Sequence, residues 1–187
     1  KLHSCAGIKK YPAEDKDDRG HPMTIGEFTD KSIDIMSLIS IDELLSSSNA
    51  MTAAANMEGL FWRVKHELVR GNRVTIAILL DLDRGRVGAV GQHKQPFDTW
   101  MLTSDIISDV LNHPTDAGHE LVITGYDDNA EAIDNEGHVS RGLFTLRNSW
   151  SNAYGDHGNY YLSYDYFKFL TIELQAVKKK KSSVGFS

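Results

Sequence analysis

Three short apolar runs between residues 118 and 163 constrain this chain more than any other feature. They are LVITGY at 121–126, GLFTLR at 142–147 and NYYLS at 159–163. Each is rich in β-branched and aromatic residues and is bounded by polar or glycine-bearing segments, the pattern of buried strands. In the second run Leu143, Thr145 and Arg147 alternate against Phe144 and Leu146. The stretch 127–141 between the first two is acidic and carries glycine, as a hairpin excursion does. Its oxygen-rich start, Asp127-Asp128-Asn129-Ala130-Glu131, lacks the glycine and terminal glutamate of a calcium loop and reads as a solvated hairpin loop.

The flanking sequence extends the pattern. Apolar residues at 57, 60, 61, 64, 68 and 69 have helical spacing, and Gly71 stands where a C-cap glycine belongs. Residues 74–80, VTIAILL, read as another buried strand, and 170–177 as a further one. Residues 31–58 mix a strand-like piece with helical ones, with Ser40 as N-cap and Glu43 three residues on. Residues 100–111 fit either an amphipathic helix or a turn. Asp81 to Gly85 reads as a turn after a strand. A short helical part followed by an antiparallel sheet makes the fold class α+β.

Composition narrows the function classes. The 187 residues suffice for one domain with a real core, and 41% apolar with 25% charged residues is ordinary for a globular chain. A net charge of -6 argues against nucleic acid as a partner, since phosphate binding needs a basic surface. The lysines at 178–181 read as a solvated basic tail, and the charge run at 14–19 as a solvated loop. No apolar run is long enough for a membrane span. The single cysteine, Cys5, excludes an internal disulfide and a cysteine-rich zinc site. No HExxH spacing occurs either, so neither a metal nor a cofactor is expected. Opening on lysine rather than methionine suggests a processed or trimmed N-terminus.

The chemistry concentrates on two residues. His119 follows Gly118 at the start of a strand, where a base can face a cleft on a rigid support. Asn148 ends another strand 29 residues later. If those strands pair, the two residues come level. The asparagine oxygen can then accept the histidine ring N–H and fix its tautomer and orientation. Trp150 can cover that hydrogen bond. An orienting asparagine suits a thiolate–imidazolium pair, in which the histidine is already charged. Taken alone, His119 reads as a half-buried structural histidine and Asn148 as a turn residue. The combination with Trp150 favours a site.

The segments GHELVITGYDD, LFTLRNSW and YGDHGNYYLSYDYF resemble the C-terminal part of papain-like cysteine peptidases, especially the bacterial forms of the C1 family. The likeness is strong over 118–167 and weaker over 58–80, and 1–57 matches nothing clearly. It implies that 1–57 is the remainder of a helical half with inter-domain loops. Residues 58–177 would then be the β-rich half, and 178–187 the tail. It further implies His119 as general base or imidazolium partner, Asn148 as its orienting group and Trp150 as its shield. Gly118, Glu120 and Ala77 would bind substrate. Three positions depart from the family pattern. Glu120 replaces a small residue at the wall of the pocket for the second substrate residue. Ser151 replaces a glycine, and Tyr154 replaces a tryptophan. Two readings of Glu120 stand: a preference for basic substrate side chains, or a carboxylate turned outward.

The nucleophile is harder to place. By the resemblance it should be a cysteine opening a long buried helix, preceded by a glutamine. Cys5 is followed by Gly7, Pro12 and the charge run, which do not support such a helix, and no glutamine precedes it. Three readings follow. A separate N-terminal segment or chain of the same precursor carries the nucleophile, which is the favoured expectation; Cys5 serves in an unusual way; or the chain is an inactive member that binds peptide or protein. A transferase using the same acyl-enzyme chemistry is a further class. The leading reading is a peptidase acting on polypeptide substrates, secreted or exported as the family commonly is.

Overall fold

The computed structural model describes residues 15–16, 22–23, 33–39, 50–80, 89–112 and 118–179. The expectations placed on Cys5, on the helix start at Ser40 and on the turn after Asp81 lie outside these residues. The chain divides into two compact units, Lys1–Ile35 with Lys178–Ser187, and Met36–Val177. In the first, β1 (Asp15–Lys16) and β2 (Pro22–Met23) form an antiparallel pair. Strand β3 (Ile33–Ile39) spans the boundary in sequence.

The larger unit is built on one long strand, β7 (Gly118–Asp134). Its first half pairs on one edge with β4 (Arg73–Leu79), which in turn pairs with β10 (Thr171–Lys179). Its far end pairs on that edge with β5 (Gly91–Gln92). The other edge is lined by β8 (Val139–Arg147). Strand β6 (Thr99–Trp100) joins β5 to β9 (Asn159–Ser163), and β9 pairs with β8, so β7, β5, β6, β9 and β8 close into a ring. The pairings of β7 with β4, β5 and β8, of β4 with β10, of β5 with β6 and of β8 with β9 are antiparallel; β6 with β9 is parallel and departs from the antiparallel sheet expected. The chain reaches that geometry through a tight loop after β5. There the buried Asp98 carboxylate accepts the backbone N–H groups of His93, Lys94 and Gln95 at 2.8–2.9 Å.

Among the described residues, three helices complete an α+β architecture dominated by its sheet. Helix α1 (Ala50–Val69) begins earlier than the apolar spacing indicated and ends where Gly71 was expected to stop it. Gly71 has φ +81°, its N–H reaches the Leu68 carbonyl, and the Asn72 N–H reaches that of Glu67, which is the Schellman pattern. Met57, Leu60, Phe61 and Val64 form its buried stripe. Each such side chain contributes roughly 1.5–3 kcal/mol by leaving water, so packing rather than intrinsic propensity holds the helix. Helix α2 (Ser104–Asn112) resolves the ambiguous stretch, with Thr103 Oγ1 accepting from Ile106 N at 3.2 Å. Helix α3 (Tyr164–Leu170) is capped by Ser163 and buries Tyr166, Phe167 and Leu170.

The acidic excursion is strand rather than loop. Beyond an irregularity between Asp127 and Glu131, β7 stays paired with β8 as far as Ile133 opposite Val139. The cause is a second small core, in which Ala132 packs with Met101, Leu143 and Tyr161. Asp127, Asp128, Glu131, Glu136 and Arg141 take exposed positions, while the Asp134 side chain is largely buried and accepts the backbone N–H groups of Glu136 and His138. The Lys65 ammonium pins α1 to the same irregularity. It is buried, ion-paired to Asp128, and flanked by the rings of Phe61, Trp62, Tyr126 and Tyr164 at 4.6–5.1 Å. Tyr164 donates to the same carboxylate at 2.6 Å.

Candidate active site

The site forms where β7 begins and β8 ends. Residues His119, Leu121 and Ile123 share one face of β7, and Leu121 and Ile123 are core residues, so the histidine stands at the rim of the core. Its ladder partner is the buried Ile78 of β4. Past an irregularity between Ile123 and Gly125, strand β8 stays paired with β7 through Arg147 opposite Val122. The next residue leaves the ladder, and the Asn148 N–H goes instead to the Gly158 carbonyl at 3.1 Å.

That departure turns the Asn148 side chain toward His119. The distance from His119 Nε2 to Asn148 Oδ1 is 3.1 Å, and Ser149 N donates to the same oxygen at 2.7 Å. Asn148 is only 7% exposed, and among the described residues its Nδ2 has no hydrogen-bond partner. Trp150 lies over the imidazole with ring centroids 4.6 Å apart and planes 20° from parallel. It is held edge-on by Tyr160 and by Trp100, which themselves stack at 4.6 Å. Trp100 is fully buried and was not singled out in the sequence; its residue type alone carried no signal, since its role depends on the parallel β6–β9 pairing.

Burial is the main influence on the His119 ring and pushes its pKa below the ordinary histidine value. The bond from Asn148 and the charge of Glu120 act in the opposite direction without cancelling it. In this chain the ring therefore favours its neutral form. A thiolate brought beside it would supply the opposing push toward the imidazolium.

The remaining predicted residues lie close by in different ways. Gly118 is the exposed first residue of β7, opposite Leu79. Glu120 is exposed and points to the face opposite His119, with Ala77 its direct ladder partner. It borders an open groove of about 300 Å³, also lined by Thr75, Val122, Arg147, Asn148 and Ser149. Ala77 is beside that groove's edge residue without lining it. Arg147 Nη1 is occupied by the His157 carbonyl at 2.8 Å and by Asn159 Oδ1 at 3.3 Å. Among the described residues, no group of three or more His, Cys, Asp or Glu is placed to hold a metal ion, and no helix is long and apolar enough to cross a membrane.

Comparisons with known proteins place this geometry in context. No family model matches the sequence, and no curated protein does. Solved structures similar to it include xylellain, a cysteine protease from Xylella fastidiosa, at 19% identity and TM-score 0.36, over 61% of this chain and 35% of that one. The SERA5 proenzyme from Plasmodium falciparum is similar at 14% identity and TM-score 0.40, over 89% and 38%. PepW from Lactobacillus rhamnosis is similar at 15% identity and TM-score 0.42, over 89% and 42%. The chain thus spans well under half the length of these three structures.

Proposed function

We propose that this chain supplies the base and its orienting group to a papain-like cysteine peptidase that hydrolyses peptide bonds through an acyl-enzyme. The single observation that carries the reading is the His119–Asn148 hydrogen bond under the Trp150 ring. A histidine oriented by a neutral amide and kept dry by an indole suits a base that pairs with a thiolate. In the proposed cycle a cysteine thiolate attacks the scissile carbonyl, and His119 protonates the departing amine. A water, deprotonated by the same ring, then attacks the thioester and releases the acid. Chain order supports a thiol held on an N-terminal segment of the same precursor, given the poor context of Cys5. The chain without that segment would be a peptide-binding module.

The test is an epoxide inhibitor directed at cysteine peptidases, followed by peptide mass spectrometry of protein expressed from the whole gene. An adduct on a cysteine upstream of Lys1 is the expected result. An adduct on Cys5 would relocate the nucleophile, and labelling of no cysteine would favour the non-catalytic binder.

Glu120 bears on substrate choice. Its carboxylate sits one residue from the base, at the mouth of a groove that reaches Asn148 and Ser149, while Arg147 is committed elsewhere. We assign to Glu120 a preference for a basic substrate side chain, with Ala77 and Gly118 leaving room beside it. Glu120→Gln should lower the ratio of kcat/KM for an arginine-bearing peptide to that for its glutamine analogue about five-fold, in line with an exposed ion pair. An unchanged ratio would leave Glu120 as a solvated carboxylate.

A further inference from the structure

The segment 151–158 returns the chain from Trp150 to β9 and is unusually constrained. Ser151, Gly155, His157 and Gly158 all have positive φ, at 91°, 58°, 54° and 84°. Two of these are not glycine, so the turn is held by its surroundings rather than by its own preference. It is clamped to the end of β8 at two points, Arg147 Nη1 to the His157 carbonyl and the Asn148 N–H to the Gly158 carbonyl. The far side is clamped by Asp156. Its Oδ2 accepts the Tyr161 hydroxyl at 2.6 Å and lies 3.7 Å from Lys94 Nζ. Asp156 also exchanges both backbone hydrogen bonds with Asn159.

We propose that Asp156 is a positioning residue for the site, latching the 151–158 turn onto Tyr161 and Lys94 so that the Gly158 carbonyl holds Asn148, and Trp150 stays flat on His119. The inference rests on the reading of His119 and Asn148 as base and orienting amide. The path is short and continuous. Asp156 fixes the turn and Gly158 fixes the Asn148 backbone; the Asn148 oxygen then fixes the ring. Tyr161 is a firm anchor, because it is buried and its neighbours Thr99 and Thr145 in the ladders tie it to both β6 and β8. Burial and the bond to Asp156 raise the Tyr161 pKa, and the same bond lowers that of Asp156, so the latch is a neutral phenol donating to a carboxylate. No side-chain contact between Asp156 and His119 is needed.

The test reads the histidine directly, by proton NMR titration of the His119 Cε1 resonance in the unliganded protein, assigned by its loss in His119→Gln. Asp156→Ala and Tyr161→Phe should each move the His119 pKa upward by about half a unit or more, toward the ordinary histidine value, as the indole lifts and water enters. Asp156→Glu, which keeps the carboxylate, should restore much of the parent value. In the active enzyme the same two variants should lower kcat about ten-fold with little change in KM. Should Asp156→Ala fail to fold, Tyr161→Phe alone decides. A folded variant that titrates like the parent overturns the proposal. Because the titration needs no turnover, a lack of peptidase activity would count against the function while leaving this result to stand or fall by itself.

Discussion

Alanine at position 119 is expected to reduce thiol-dependent peptide hydrolysis by about 10²- to 10⁴-fold, the scale of a lost general acid–base. Asn148, Trp150 and the start of β7 jointly orient the ring. In the proposed mechanism its loss would remove both the partner of the thiolate and the proton donor to the leaving amine. Asn148→Ala should cost less, about 10- to 100-fold, because the ring stays stacked on Trp150 and still titrates. Steady-state kinetics on one fluorogenic peptide, with active sites counted by the epoxide, makes the comparison. Retained activity in His119→Ala would remove the histidine from the mechanism. A larger loss for Asn148→Ala than for His119→Ala would remove the orienting role.

Phe144→Ala is expected to destabilise the larger unit by about 3–5 kcal/mol. The side chain is fully buried, with ring contacts to Phe61 of α1, Tyr164 and Phe167 of α3 at 4.9–5.7 Å. It therefore joins both helices to β8, and the cavity left behind is walled by aromatic rings that cannot easily collapse. Against a total stability of 5–15 kcal/mol for an ordinary domain, such a loss is decisive. Urea unfolding followed by tryptophan emission measures it, and a loss below about 1 kcal/mol would contradict the packing described. Phe144 lies four residues before Asn148, so the surviving folded fraction should also show a disturbed His119 titration.

Much of this arrangement was legible in the sequence where a local pattern carried it. The runs at 74–80, 142–147 and 159–163 fall on β4, β8 and β9, because β-branched and aromatic side chains fill both the core and the ladder. Gly71 marked the end of α1 because the left-handed cap it provides is a strictly local requirement. The levelling of His119 with Asn148 followed from two strand ends and one connection. What stayed hidden depends on distant partners. The excursion after Asp127 reads as polar, yet Ala132 meets Met101, Leu143 and Tyr161 and so remains in the sheet. Lys65 looks like a surface lysine until four aromatic rings and Asp128 surround it. Asp156 sat inside a recognised segment, but its grip on Tyr161 arises only when the turn folds back.

The oxygen of Asn148 receives two donors, one of them the backbone N–H of the very next residue. Turned over, the amide would set its own N–H₂ against that fixed N–H, so the chain itself dictates which end of the carboxamide meets the ring. The ring must then carry a hydrogen on Nε2, and Nδ1 is left as the nitrogen with a free lone pair. A single peptide plane at Ser149 thereby sets the address of the proton path. Any thiol that completes the site must approach the imidazole from the Nδ1 side.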